Sequence, residues 1–176
     1  MRVFQITAAI AVIALFNVSG WTTIVVKLDL PELVEQSDTI IQGQVQQTES
    51  RWDNQMKLIF TDVWVRVNDA LKGAPQTNIT VRHLGGTVGT INMAASGMPV
   101  FRSGEDVILF LKRNPETTYH VVGMAQGKYE ITNESAVVNA FGIGLQDKKT
   151  GQVIEGGTAS REPVEIFKSR IRRLVK

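Results

Sequence analysis

Four side chains on two neighbouring predicted strands have the chemistry to contact a ligand. Asp62, Trp64 and Arg66 alternate along one predicted strand, which places their side chains on the same face of a sheet. His83 belongs to the next predicted strand and is in phase with apolar neighbours. Asp62 and Arg66 also have the spacing of an ion pair along a strand face. If that face is concave, we expect these four residues to contact a ligand.

The two histidines of the chain, His83 and His120, do not predict a metal site. A protein zinc site takes three or four converging ligands, and no His-x-x-x-His or His-Glu-x-x-His spacing occurs. The chain also has no cysteine, which excludes disulfides, thiolate catalysis and thiolate metal ligands. We therefore expect no metal and no cofactor, with both histidines in packed or surface positions.

No catalytic motif stands out. Glu105 and Asp106 are adjacent, so on a strand their carboxylates point to opposite faces and cannot work as a pair. The glycines of residues 85–89 lack the Gly-Lys-Ser/Thr ending of a phosphate loop, and there is no Gly-x-Ser-x-Gly elbow. The sequence predicts a protein that is not an enzyme, and a hydrolase with an unrecognised carboxylate site is the alternative.

Charge and aromatic content limit the classes of partner. The formal net charge is +2, which gives no global attraction to nucleic acid or to a membrane surface. Four aromatic side chains suit stacking on sugars or bases, namely Trp52, Phe60, Trp64 and Tyr129. Because a stacking face for nucleic acid is accompanied by a basic groove, we expect no nucleic-acid partner.

The N-terminus is typical of an export signal. A basic Arg2 precedes the apolar run of residues 6–16, and small residues lead to a plausible cleavage point after Gly20. This pattern predicts a signal peptide over residues 1–20, a mature chain over 21–176 and a periplasmic or secreted location. The alternative is an uncleaved membrane anchor, because Trp21 and residues 24–26 prolong the apolar character.

Hydrophobic periodicity predicts a mainly β domain. The run of residues 106–112 is apolar without interruption, as in a strand that is covered on both faces. Alternation over 57–68 predicts a second long strand, and Gly43 within another strand predicts a bulge or a sharp bend. Short helices are predicted at 29–38 and from Ser160 or Arg161 onwards. Further strands are predicted at residues 39–46, 78–84, 90–95, 119–122, 128–131 and 135–138. The order favours a small antiparallel barrel of five to seven strands, with a short N-terminal helix and a packed C-terminal helix.

Two glycine-rich segments and the last helix are the predicted contact surfaces. Residues 85–98 and 142–157 read as loops, and loops on a rigid barrel are common recognition surfaces. The last helix gathers the basic residues Arg161, Lys168, Arg170, Arg172, Arg173 and Lys176. Basic residues complement the helix dipole, and they also suit contact with an anionic membrane.

The order of motifs resembles a widespread group of exported bacterial proteins of unknown function. The motifs are Leu33-Val34 with Ser37-Asp38, Ile41-x-Gly43-x-Val45, Thr61-x-Val63-x-Val65, Leu71-Lys72-Gly73, Gly85-Gly86, Gly104-Glu105 with Leu109-Phe110-Leu111, and Gln126-Gly127-Lys128-Tyr129. More remotely, the chain is similar to netrin-like and metalloproteinase-inhibitor domains, which are barrels of the oligonucleotide/oligosaccharide-binding (OB) type. Those inhibitors act through an N-terminal cysteine, so their mechanism does not carry over to a chain without cysteine.

The expected function is that of an exported, non-enzymatic binding module with an OB-like barrel. Its partner would be another envelope or secreted protein, or an envelope component. A protease inhibitor that acts through an exposed loop is a further alternative. Membrane contact would come from the basic last helix or from an uncleaved N-terminal segment.

Overall fold

The computed structural model describes residues 23–138, 143–156 and 161–175, and it has the predicted mainly β architecture. The signal-peptide prediction, residues 1–20, lies outside the described residues. In the described part of the chain, no helix is long and apolar enough to cross a membrane. The helices are α1 (Leu30–Gln36) and α2 (Val164–Leu174). The strands are β1 (Thr23–Val26), β2 (Thr39–Trp52), β3 (Ile59–Lys72), β4 (Asn78–Leu84), β5 (Gly86–Val88), β6 (Ile91–Met93), β7 (Asp106–Arg113), β8 (Tyr119–Val121), β9 (Lys128–Thr132), β10 (Ser135–Val138), β11 (Ile143–Gln146), β12 (Val153–Glu155) and β13 (Glu162–Pro163).

Five strands close into a barrel in the order β7-β2-β3-β4-β8, and β8 returns to β7. All of these neighbours are antiparallel except β4 and β8, which meet in parallel where Val81 faces Tyr119. A five-stranded Greek-key closure of this kind is the OB-type barrel. On the other side of β7 the sheet continues through β9, β10 and β13. The predicted fold class is therefore confirmed.

Strand β7 is covered on both faces, as its apolar sequence predicts. Val107, Leu109 and Leu111 face the barrel interior, where they pack with the valines of β3. Ile108 and Phe110 face outward and pack against α1 and α2. All five side chains are fully buried, so this strand belongs to two hydrophobic clusters at once.

Local sequence signals explain how the helices and the sheet bend. Asp29 caps α1, since its carboxylate accepts from the Glu32 N–H while Glu32 accepts from the Asp29 N–H, both at 2.9 Å. Gly43 lies at a shift in the β2–β3 register, and a Cβ there would come within 2.5 Å of the Arg66 carbonyl oxygen. The predicted bulge is thus present, and it needs a residue without a side chain.

Three segments differ from their predicted form. Strands β2 and β3 extend to Trp52 and Lys72, because the two strands pair with each other along their whole length. The predicted link at 85–89 is half of the β5–β6 hairpin. Two parts of the predicted loop at 142–157 form β11 and β12, which make a separate sheet with β1. The partner of β11 is far away in sequence, so local periodicity cannot reveal that pairing.

Helix α2 has the predicted packed face, and several of its basic residues pair with acids. Phe167 and Ile171 are buried in the outer cluster, whereas Leu174 is partly exposed. The helix residues Lys168 and Arg172 both bind the Asp69 carboxylate, at 2.8 and 2.7 Å, and Arg170 binds Glu162 at 2.6 Å. Contact with an anionic membrane needs basic side chains that are not already paired, whereas these three are bound to carboxylates. The ion pairs therefore favour a packing role for the helix.

Candidate functional site

A cleft lies on the outer face of the barrel, between the β2–β3 loop (residues 53–58) and the β7–β8 loop (residues 114–118). Its volume is about 620 Å³, within the range of ligand sites. The floor is formed by β3 and β4, which in an OB-type barrel form the binding face between these same two loops. The lining residues are Arg51, Trp52, Asp53, Asn54, Phe60, Arg82, Asn114, Pro115, Glu116 and Thr118.

A charge network centred on Asp62 holds the floor of the cleft. Asp62 and Arg82 are directly opposite on β3 and β4, so their side chains share the outer face. Arg82 donates from Nε and Nη2 to the two carboxylate oxygens of Asp62, at 2.7 and 3.1 Å. Arg51 binds the same carboxylate at 2.8 Å, and Glu116 binds Arg82 at 2.9 Å. A bidentate guanidinium–carboxylate pair fixes orientation, so the network presets the cleft.

The network also sets the protonation state of its members. Burial opposes ionisation of Asp62, but the hydrogen bonds from Arg82 and the charges of Arg82 and Arg51 outweigh it, so its pKa lies below its ordinary value. The hydrogen bond to Asp62 raises the pKa of Arg82, against the opposing effect of burial. Asp62 and Arg82 are therefore both charged at neutral pH, and Asp62 is bound at both oxygens.

Two aromatic side chains flank this network. Trp52 ends β2, and Phe60 lies beside Arg51 in the β2–β3 register. Asp53 secures the loop between them, since its carboxylate accepts from the Lys57 N–H at 2.7 Å and from the Leu58 N–H at 3.2 Å. The cleft therefore combines ring faces with carboxamide, carboxylate and guanidinium groups, a mixture that can stack on a ligand and hydrogen-bond to it.

The four residues predicted to contact a ligand do not form one set. Asp62, Trp64 and Arg66 share the outer face of β3, but Trp64 and Arg66 do not line the cleft. Asp62 is only 5% exposed and acts by positioning Arg51 and Arg82. His83 is opposite Thr61 and therefore lies on the other face of the sheet, where its ring stacks on Phe101 at a centroid distance of 5.9 Å.

Sequence reasoning missed the partners that complete the network. The expected ion pair of Asp62 with Arg66 is wrong, because Asp62 pairs with Arg82 across the strands instead. The loop residues Asn114 and Glu116 were also missed. Only the strand register brings these residues together, and no spacing along the chain encodes it. Of the four aromatic side chains predicted to suit stacking, Trp52 and Phe60 line the cleft, Trp64 does not, and Tyr129 packs against the outer cluster.

The described residues contain no group of three or more histidine, aspartate or glutamate side chains that could hold a metal ion. The cleft carboxylates of Asp53 and Glu116 are engaged by the loop backbone and by Arg82. Comparison with protein-family models gave no match, and neither did comparison with curated protein sequences. The geometry of the cleft is therefore the basis for the functional proposal.

Proposed function

We propose that this protein is an exported, non-enzymatic binding module whose cleft holds a glycan of the cell envelope. The observation that carries the proposal is the position of the cleft, between the β2–β3 and β7–β8 loops over the outer face of β3 and β4. That is the ligand face of OB-type barrels, which bind oligosaccharides and oligonucleotides there. Export is supported by the signal-like N-terminus.

The lining chemistry favours a sugar over a nucleic acid. Arg51 and Arg82 are the basic groups of the cleft, and both already bind the Asp62 carboxylate. Glu116 and Asp53 add negative charge at the rim, so there is no basic track for phosphates. Sugar rings, in contrast, combine an apolar face with hydroxyl groups. Trp52 and Phe60 offer ring faces, and the Asn54 and Asn114 carboxamides offer donors and acceptors.

Titration calorimetry with soluble fragments of envelope glycans tests the proposal. A single-stranded oligonucleotide and an unstructured peptide serve as the competing ligand classes. We expect the glycan fragments to bind and the other two to give no heat. Trp52→Ala and Phe60→Ala should each weaken glycan binding by about tenfold, since an aromatic platform contributes on the order of 1–3 kcal/mol per stacked ring.

Trp64→Ala is the matched control, because Trp64 is also a half-buried aromatic residue of the barrel but does not line the cleft. It should leave glycan affinity unchanged. Equal losses in the Trp52 and Trp64 variants would place the ligand outside the cleft. If the oligonucleotide or the peptide bound and the glycans did not, the glycan proposal would be wrong and the ligand would belong to that other class.

A further inference from the structure

A second cavity lies beside β4 and β8, at the place where these strands pair through a single register position. Its volume is about 440 Å³ and its wall is largely apolar. Both histidines of the chain and two of its five methionines line it. The lining residues are Gln36, Arg82, His83, Leu84, Met98, Pro99, Lys112, His120, Val121, Val122, Gly123 and Met124. The volume and apolar character are those of a site for a small molecule.

The charged groups of this cavity are all basic. Its lining includes Arg82, Lys112 and two imidazoles, and it includes no carboxylate. Arg82 is already bound by Asp62 and Glu116. Lys112 is different, because it forms no ion pair with any carboxylate in the described part of the chain. The cavity therefore presents one available ammonium group above an apolar wall, which complements an anionic head on an apolar body.

His120 lies opposite Lys112 on the neighbouring strand and has a fixed orientation. Lys112 and His120 are directly opposite in the β7–β8 register, so their side chains point to the same side. The Asn114 carboxamide donates to Thr118 Oγ1 at 3.0 Å, which leaves its oxygen to accept from His120 Nδ1–H at 2.6 Å. In the neutral ring Nε2 then has no proton and acts as an acceptor, so the hydrogen-bond donor for an anionic head at this place is the Lys112 ammonium group.

The apolar wall depends on an unusual backbone. Gly123 and Met124 both have positive φ, 67° and 60°, and a methionine in this region is uncommon. Backbone outliers of this kind cluster at ligand sites. The turn places the Met124 thioether against Gly97, where a Cβ would come within 3.2 Å of Met124 Cε. Met98 follows Gly97 in the sequence and also lines the cavity, so the adaptable thioether side chains of Met98 and Met124 form the wall.

We propose that this cavity binds a small amphiphilic carboxylate, with its apolar body against Met98 and Met124 and its head at Lys112. The site is separate from the glycan cleft and does not depend on the glycan proposal. Arg82 lines both, but its guanidinium is taken by Asp62 and Glu116. Lys112 is therefore the residue that binds the carboxylate head, and His120 lies opposite it.

Titration calorimetry and amide chemical shifts with octanoate test this site. Inorganic phosphate provides the charge alone, and octanol provides the apolar body alone. We expect octanoate to bind at least tenfold more tightly than either probe and to shift the amide signals of Leu84 and Val121 but not those of Trp52. Lys112→Gln should weaken octanoate binding about fivefold and leave octanol unchanged, because one partly exposed ion pair contributes about 1 kcal/mol.

Met98→Trp should abolish octanoate binding by filling the cavity. The matched controls are Ile91→Trp on exposed β6 and Lys149→Gln on the β11–β12 turn, and both should bind like wild type. The proposal is wrong if phosphate binds as tightly as octanoate, or if Lys112→Gln and Lys149→Gln bind octanoate equally. Lys112 is exposed, so this comparison remains decisive even where Met98→Trp fails to fold.

Discussion

Asp62 is the residue on which the geometry of the cleft depends. It is nearly inaccessible to solvent, yet it organises two guanidinium groups of the cleft. Glu105 has a comparable role elsewhere, since its side chain is buried against Lys128, and Lys128 also donates to the Val100 carbonyl. This pair joins the turn before β7 to β9, so Glu105 acts as a structural residue. In both places a carboxylate positions basic groups and is itself hidden.

Asp62→Asn should lower the free energy of unfolding by about 2–3 kcal/mol, because Arg82 and Arg51 lose their charged partner. Glu116→Gln is the control. Glu116 also binds Arg82, but it is 76% exposed, and a solvated pair contributes at most about 1 kcal/mol. Chemical denaturation of the two variants measures the difference. Equal stability losses would mean that burial of Asp62 adds nothing to the pair.

The pH dependence of stability should show the protonation of His83 on unfolding. Burial lowers the pKa of His83 below its ordinary value of 6.5, against the opposing effects of its bond to the Leu84 carbonyl and the charge of Asp62. The unfolded chain therefore binds a proton before the folded chain does. Stability should fall as the pH decreases below 6.5, with a slope of at most about 1.4 kcal/mol per pH unit for one proton.

Asp62 gives a separate pH window. Its pKa is lowered from 3.8, so its stabilising contribution is complete above that value and is lost at more acidic pH. Denaturation between pH 7 and pH 5 should thus report His83 alone of these two residues. His83→Gln should remove that slope, whereas Asp62→Asn should keep it. An unchanged slope in the His83 variant would contradict the assignment.

At the scale of elements, the sequence predicted the features that nearby residues determine and missed the contacts that strand pairing determines. The apolar run of β7, the short first helix and the glycine bulge at Gly43 each have a physical cause within a few residues. The pairing of β11 with β1 joins strands that are far apart in the sequence, and the Asp62–Arg82 pair depends on the register between β3 and β4. For this reason the barrel was predictable, whereas the composition of the cleft was not.

Leu109→Asn tests the central position of β7. Leu109 is 0% exposed inside the barrel, so the change removes apolar contacts and buries an amide without a partner. We expect a loss of about 3–5 kcal/mol, a large part of the stability of an ordinary domain. Ile91→Asn, at a position 52% exposed, should stay within about 0.5 kcal/mol of wild type. If the thermal melts of Leu109→Asn and wild type coincided, the assignment of β7 to the core would be wrong.

At the scale of the whole molecule, the barrel separates two surfaces with different chemistry. The cleft on the outer face of β3 and β4 mixes aromatic rings with balanced charges, and the second cavity combines methionines with the ammonium group of Lys112. Both sites use strand ends and the loops that follow them, which a closed barrel holds rigidly. The two proposed ligands can therefore be tested independently, and each has variants that leave the other site intact.

The mature chain should begin near Trp21. Residues 24–26 prolong the apolar character of the N-terminus in sequence, but Thr23–Val26 is strand β1 and pairs with Ile143–Gln146. A membrane-spanning helix needs about 20 apolar residues. Residues 24–26 cannot extend such a helix while they form β1, and the apolar run of residues 6–16 is too short by itself.

Expression in a bacterium should therefore yield a soluble envelope protein whose intact mass lacks residues 1–20. Replacing Ala11 and Ile13 with arginine should block processing and export, while Lys149→Gln should be exported like wild type. Recovery of the full-length mass in detergent-extracted membranes would instead establish the anchored form.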